Sequence, residues 1–301
     1  MRTVIYGLPK SGTTYLFSLL AQALSRDKKL IESFEPRSKD ENNRLHRHDG
    51  QFWDESENML VKILYADANK KSGWEGAQAK KSFDYYDKKI FLIRDPRDRW
   101  ISAFFYRWFY RHNPAKKDFA RALALSQKKE KNPDQVPFHI LLSSDPKILK
   151  NFAKEYTQNL HFLTDFIDGL KLDGWYILKY EDLVDKNWKD LEEYLGVSLE
   201  LEHDIRKSFK HVSRTNQYGN WRRWFTLEDV IFFTPIFNNF LQRHGYDWDN
   251  WDLEKINSLP SVEGSDYMKR LFYHKNGPNS YSKNIFGELK RFIWGNSIRV
   301  E

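Results

Sequence analysis

The chain has 301 residues, a net charge of +7, no cysteine, and an apolar fraction of 40% rich in Phe, Tyr and Trp. That length admits one large domain or two, with enough apolar material for a core. The missing cysteines exclude a disulfide framework, a thiolate metal site and a cysteine nucleophile. The positive excess suits a solvated surface or an anionic ligand, and the absence of a dense Lys/Arg block argues against nucleic acid.

In chain order, Thr3–Tyr6 reads as a short strand, being β-branched and aromatic. Gly7 and Pro9 break it, and Leu16, Leu19, Leu20, Ala23 and Leu24 then mark a helix to about Ser25. Leu30–Phe34 is a second apolar run ending at Glu35-Pro36-Arg37. Residues 37–58 are polar and irregular, with His46 and His48 among many charges, which suggests a functional or mobile loop. Met59–Leu64 and Lys89–Ile93 are strands, and a helix is expected from about Arg97 to Tyr110. Residues 112–137 read as a helix-containing connection. Asp145-Pro146 is an N-cap followed by a first-turn proline, after which Ile148, Leu149, Phe152, Tyr156, Leu160, Leu163 and Phe166 recur at helical spacing. A strand at Trp175–Leu178 leads into Tyr180-Glu181-Asp182-Leu183, and a helix spans roughly Lys186–Leu195 up to Gly196. Thr226 opens the last long helix with Asp229 as its capping-box acid, and Gly245 stops it.

Alternating strands and helices imply an α/β fold: a mostly parallel central sheet with helices on both faces. The expected division is one domain over 1–250 and a C-terminal extension over 251–301 packed on it. The extension is aromatic and basic (Trp251, Tyr267, Phe272, Tyr273, Phe286, Phe292, Trp294), which suits covering an acceptor, self-association or lying on a membrane surface. No apolar run is long enough to span a membrane, and a strand by residue 3 leaves no room for a signal peptide, so a cytoplasmic protein is expected. Peripheral membrane contact and the oligomeric state stay open.

Strand–GxxxxG–helix is the layout of a phosphate-binding loop, in which backbone N–H groups and a helix N-terminus face an anion. A nucleoside-triphosphate loop needs Lys after its second glycine, but here Thr13 follows Gly12 and the lysine sits inside the loop as Lys10. The cation is thereby placed for the terminal group of a two-unit anhydride. A second anion site is suggested by Arg94, at the end of a strand, and Ser102 on the following helix: a charge-assisted fork and a hydroxyl donor on one phosphate. The plainer alternative is a turn at Asp95-Pro96 with Arg94 in a surface ion pair.

Two phosphate sites on one sheet fit a nucleotide phosphorylated at both 5′ and 3′ positions, and here the residues resemble a family. Pro9-Lys10-Ser11-Gly12-Thr13-Thr14 resembles the 5′-phosphosulfate loop of sulfotransferases. Arg94-Asp95-Pro96-Arg97-Asp98 with Ser102 is similar to their 3′-phosphate motif, and Tyr180-Glu181-Asp182-Leu183 to the segment whose tyrosine borders the adenine. Arg214 followed by Gly219-Asn220-Trp221-Arg222 resembles the segment that closes over the 3′-phosphate. The resemblance implies a P-loop-like sulfotransferase fold and 3′-phosphoadenosine 5′-phosphosulfate (PAPS) as donor, leaving 3′,5′-adenosine bisphosphate (PAP), with no metal. It assigns Lys10 to the leaving oxygen, Ser11, Gly12, Thr13 and Thr14 to the 5′-phosphate, and Tyr15 to a place beside the nucleotide, the alternative for Tyr15 being a core helix face.

Departures from the cytosolic pattern point to a bacterial or Golgi-type member. Arg214-Thr215-Asn216 stands where cytosolic relatives carry Arg-Lys-Gly, and Ser208-Phe209 is a weak candidate for a shortened adenine contact. Those relatives take their base from a His shortly after a strand lysine, whereas this strand reads Val61-Lys62-Ile63-Leu64. Golgi-type and several bacterial members use a Glu after the second strand, the position of Glu35, whose alternative is a surface pair with Arg37. His46 and His48 compete as bases, and Glu32 is a lesser candidate. Lys62 faces the sulfuryl group or caps its strand. Trp53, Tyr85, Tyr86, Trp100, Trp108 and Tyr110 are expected mostly in the core, some of them lining an acceptor groove. The expected acceptor is a carbohydrate hydroxyl, with other small molecules open. The rivals are a small-molecule or nucleotide kinase and a non-catalytic module that binds nucleotides or anionic polymers.

Overall fold

A computed structural model describes residues 1–35, 58–65, 83–109, 116–153, 160–199 and 214–276. The strands are β1 (Arg2–Gly7), β2 (Leu30–Phe34), β3 (Asn58–Leu64), β4 (Lys88–Ile93) and β5 (Tyr176–Lys179). The helices are α1 (Thr13–Leu24), α2 (Pro96–Tyr106), α3 (Lys116–Lys131), α4 (Phe138–Ser143), α5 (Pro146–Ala153) and α6 (Leu160–Leu172), then α7 (Tyr180–Val184), α8 (Lys189–Leu195), α9 (Trp221–Trp224), α10 (Leu227–Arg243) and α11 (Ser265–Asn276). The strands form one sheet in the order β2-β3-β1-β4-β5, every neighbouring pair parallel. The α/β architecture expected from the alternating pattern is the one observed.

The chain divides into two compact units, Met1–Arg99 with His161–Gln217, and Trp100–Leu160 with Tyr218–Glu301. The first unit holds the sheet. Residues alternate across it, as the two-residue period of a strand requires. Ile5, Ile90, Leu92 and Leu178 join the aliphatic cluster beneath α1 and α8. The opposite face is aromatic: Tyr6 packs against Phe83, Phe91 and Phe166 with ring centroids 5.0, 5.3 and 6.3 Å away, and Phe83 lies 5.0 Å from Trp175. Both faces are buried, which accounts for nearly continuous apolar strands.

In the second unit, a column of rings runs through Phe138, Phe225, Phe233 and Phe237, with successive centroids 5.7, 4.9 and 5.1 Å apart. Trp100 packs on Phe152, and Trp108 on Phe119, which stacks on Phe272 of α11 at 4.3 Å. Trp100, Trp108 and, in the first unit, Tyr86 are therefore core residues. Tyr85 is half-buried, and Trp53 and Tyr110 lie outside the described residues. Thr226 and Asp229 form the expected capping box at the start of α10.

Several boundaries differ from the sequence expectation. The helix after Arg94 is α-helical only to Tyr106 and tightens to a 3-10 turn over Arg107–Phe109. Of the spaced apolar residues, Ile148, Leu149 and Phe152 fall in α5 and Leu160, Leu163 and Phe166 in α6, Tyr156 lies outside the described residues, and Leu149 is exposed rather than buried. The segment predicted from Lys186 starts at Lys189, because Lys186 has φ of +61° and cannot open a right-handed helix. Among the described residues no helix is long and apolar enough to cross a membrane. Residues 277–301, with Phe286, Phe292 and Trp294, lie outside the described set.

Candidate active site

Because the five strands are parallel, the residue that follows each one emerges at the same sheet edge. The 8–12 loop follows β1, Arg94 follows β4, Tyr180 follows β5 and Glu35 follows β2. The sheet therefore gathers four of the segments singled out in the sequence.

Gly7 ends β1 where a Cβ would meet the Leu92 carbonyl 2.8 Å away, so the loop starts hard against β4. The loop then turns back with the Ser11 amide donating to the Leu8 carbonyl at 3.2 Å. Gly12 precedes α1 in the left-handed region, φ 90°, a conformation that favours glycine. No side chain caps this helix, so its first-turn N–H groups remain available to a ligand. The Ser11 hydroxyl is buried with no hydrogen-bond partner. An uncapped helix start beside a buried hydroxyl without a partner can receive an anion. Thr13 is buried in the first turn, and Thr14 and Tyr15 are partly accessible.

Arg94 is 5% exposed. Its Nη1 donates to the Lys10 carbonyl at 3.2 Å and its Nη2 to the Gln217 carbonyl at 3.1 Å, while its buried Nε has no partner. Its guanidinium lies 4.1 Å from the centre of the Tyr180 ring. One arginine thus ties the loop to the segment that carries Arg214. The surface ion pair weighed for Arg94 is not what forms. Asp95 pairs with Arg97 instead, at 2.8–3.0 Å, and also accepts the Arg97 amide at 2.8 Å. The Asp95 amide donates to Glu181 Oε1 at 3.1 Å. Burial, with Asp95 nearby, pushes the Glu181 carboxyl up to about 7.

The electrostatics centre on Lys10. Part of the residue is accessible, but its ammonium is enclosed, and burial drives its pKa well below the usual lysine range. Arg94, Arg214 and Lys62 push it further in the same direction. Cationic neighbours that add to the cost of charging Lys10 suit an anionic ligand. Ser102 lies buried on α2, past the point where the second unit begins, and Asn220 and Trp221 are buried at α9 in that unit.

Glu35 pairs with Lys62, at 2.5 Å between Oε1 and Nζ; Arg37, the alternative partner, lies outside the described residues. The Glu35 amide donates to the Lys62 carbonyl at 2.8 Å, and the Lys62 ammonium lies 4.0 Å from the centre of the Phe34 ring. Lys62 is 2% exposed, paired in register with Ile5 on β1, so it is a mid-strand residue rather than a strand cap. Sequence reading missed this pairing. The available signal was a lysine inside the apolar run Met59–Leu64, which needs an anion if the strand is central. Glu32 is an exposed β2 residue. His46, His48 and Ser208-Phe209 lie outside the described residues. Among the described residues no group of His, Asp or Glu side chains could hold a metal ion.

A family model described as a sulfotransferase domain matches residues 1–231. No curated protein and no solved structure matches the chain.

Proposed function

Since the chain belongs to the sulfotransferase family and is a sulfotransferase enzyme, we propose that its donor is PAPS and its acceptor a carbohydrate hydroxyl. The observation that carries the donor assignment is the convergence on Lys10: a helix start without a cap, a buried Ser11 hydroxyl, and Arg94, Arg214 and Lys62 acting on one ammonium. Donor phosphates supply the negative charge that this arrangement favours.

In this reading the amides of the 8–12 loop, with Ser11, Thr13 and Thr14, hold the 5′-phosphate, and Tyr15 and Tyr180 border the nucleoside. Arg94 and Arg214 take the 3′-phosphate. An acceptor oxygen attacks sulfur as the bond from sulfur to the bridging phosphate oxygen breaks. The electron pair of that bond stays on the phosphate of PAP, where the Lys10 ammonium opposes it. The acceptor proton passes to the Glu35 carboxylate, which Lys62 holds in one orientation. The chemistry rests on positioning and on charge placed before the reaction begins. A carbohydrate acceptor is supported by the Glu35 position, which resembles that of Golgi-type and bacterial members.

Thermal melting with nucleotides tests the donor. PAP should raise the melting temperature and ATP with Mg²⁺ should not; the reverse result would replace this reading with the kinase. An acceptor screen with labelled donor, across glycans, lipids and phenols, tests the carbohydrate assignment, which fails if only phenols or lipids take up label.

A further inference from the structure

Tyr180 occupies an unusual position between the two anion-binding elements. It is the first residue after β5, and its side chain is buried. The Arg94 guanidinium lies over one face of its ring. Its ring edge lies so close to Gly12 that a Cβ there would collide with it. Arg94 in turn donates to the Lys10 carbonyl. Gly12, Tyr180, Arg94 and Lys10 therefore close a ring of contacts, two of them in the loop and one the arginine of the second site. Glu181, the next residue, accepts from the Asp95 amide, so adjacent residues hold the Arg94 side chain and the backbone of the residue that follows it.

An arginine on a flexible stem loses rotamer freedom when it binds a phosphate, and stacking on a planar ring removes much of that freedom beforehand. A ring that also touches the loop transmits the state of the arginine to it. Resting on the PAPS reading above, we propose that Tyr180 is a positioning residue that couples the two phosphate sites, so that the enzyme favours 3′-phosphorylated nucleotides through Tyr180 as well as through Arg94. This differs from a simple border for adenine, a base common to nucleotides with and without the 3′-phosphate.

Titration calorimetry with PAP and with adenosine 5′-monophosphate, on wild type, Tyr180→Phe and Tyr180→Leu, separates the two roles. The coupling predicts that Tyr180→Phe keeps the wild-type preference for PAP. Tyr180→Leu should lower that preference about tenfold, the scale of one site-to-site coupling, mostly by weakening PAP. Arg94→Lys, which keeps the charge but cannot stack, should lower it too, and adding Tyr180→Leu to Arg94→Lys should change it little more. Equal weakening of both nucleotides in Tyr180→Leu would overturn the coupling and leave the donor reading intact. A wild type with no preference for PAP would overturn both. If Tyr180→Leu melts too low to titrate, Tyr180→Met, which fills the space without a planar ring, carries the same comparison.

Discussion

Lys10 in the first unit and Lys129 in the second both have an enclosed ammonium, though part of Lys10 is accessible, and their surroundings differ. Burial lowers the pKa of each, that of Lys129 to about 8. At Lys129 the neighbouring charges, Asp229 and Asp134, oppose the shift, and two carbonyls, Pro133 and Val136, accept from its ammonium at 3.0 and 2.6 Å. At Lys10 the neighbouring charges Arg94, Arg214 and Lys62 reinforce it. The second unit answers its other buried charges in the same way. Glu130 accepts from the Ser265 amide and hydroxyl, and Asp229 accepts from the amides of Phe138, His139 and Thr226, with His139 Nδ1 2.8 Å away. Charges compensated by their own fold hold helices together, whereas at Lys10 the neighbouring cations add to the cost of charging it.

That contrast can be broken experimentally. The largest effect belongs to Lys10→Ala, which should slow sulfuryl transfer roughly 10³-fold while PAP binding survives in part. Single-turnover rates beside binding isotherms check it, and full turnover in this variant would end the role given to Lys10. Next is Asp229→Ala, which strands several donors in the second unit. It should cost about 3 kcal/mol, or roughly 10 °C in melting temperature, with Asp229→Asn losing less. An unchanged melting curve would show that the Asp229 network is decorative.

Glu35→Gln should lower kcat about 10²-fold with nucleotide affinity little altered. Normal turnover there would move the base to His46 or His48. The smallest effect is on pH dependence. A bound anion favours charged Lys10, so the lowered pKa of the free enzyme must rise on binding, and binding takes up a proton. PAP affinity should therefore fall as pH rises from the free to the bound pKa of Lys10, by at most about tenfold per unit. Glu181 titrates near 7 and acts with the same sign, since its deprotonation adds negative charge beside Arg94. Calorimetry in two buffers of different ionisation heat counts the proton, and proton release would contradict the scheme.

The strands and the loop were legible because they rest on local rules: β-branched and aromatic runs, a glycine before a helix, an Asp-Pro turn after a strand. β2 has the predicted limits, and β1, β3 and β4 each extend one residue or so beyond them. The capping box at Thr226 was likewise a pattern within four residues. The Glu35–Lys62 pair was not legible, because the two residues are 27 apart in sequence and meet only through the pairing of β2 with β3. The stacking of Arg94 on Tyr180 depends in the same way on β4 lying beside β5. The split into two units left no mark on composition, since the chain crosses between them three times, between Arg99 and Trp100 within α2, between Leu160 and His161 at the start of α6, and between Gln217 and Tyr218.

Four non-glycine residues of the described chain have positive φ, and two of them are Lys10 and Glu35, at 69° and 52°. Backbone of this kind costs a side-chain-bearing residue on the order of 1 kcal/mol or more, and glycine escapes that cost. At Glu35 the buried Lys62 holds the carboxylate in place against that cost, so selection for heat resistance alone would drift to glycine at Lys10 rather than at Glu35. If Lys10 has the role proposed for it, a deep mutational scan scored once for abundance and once for turnover should show the two scores parting most sharply there.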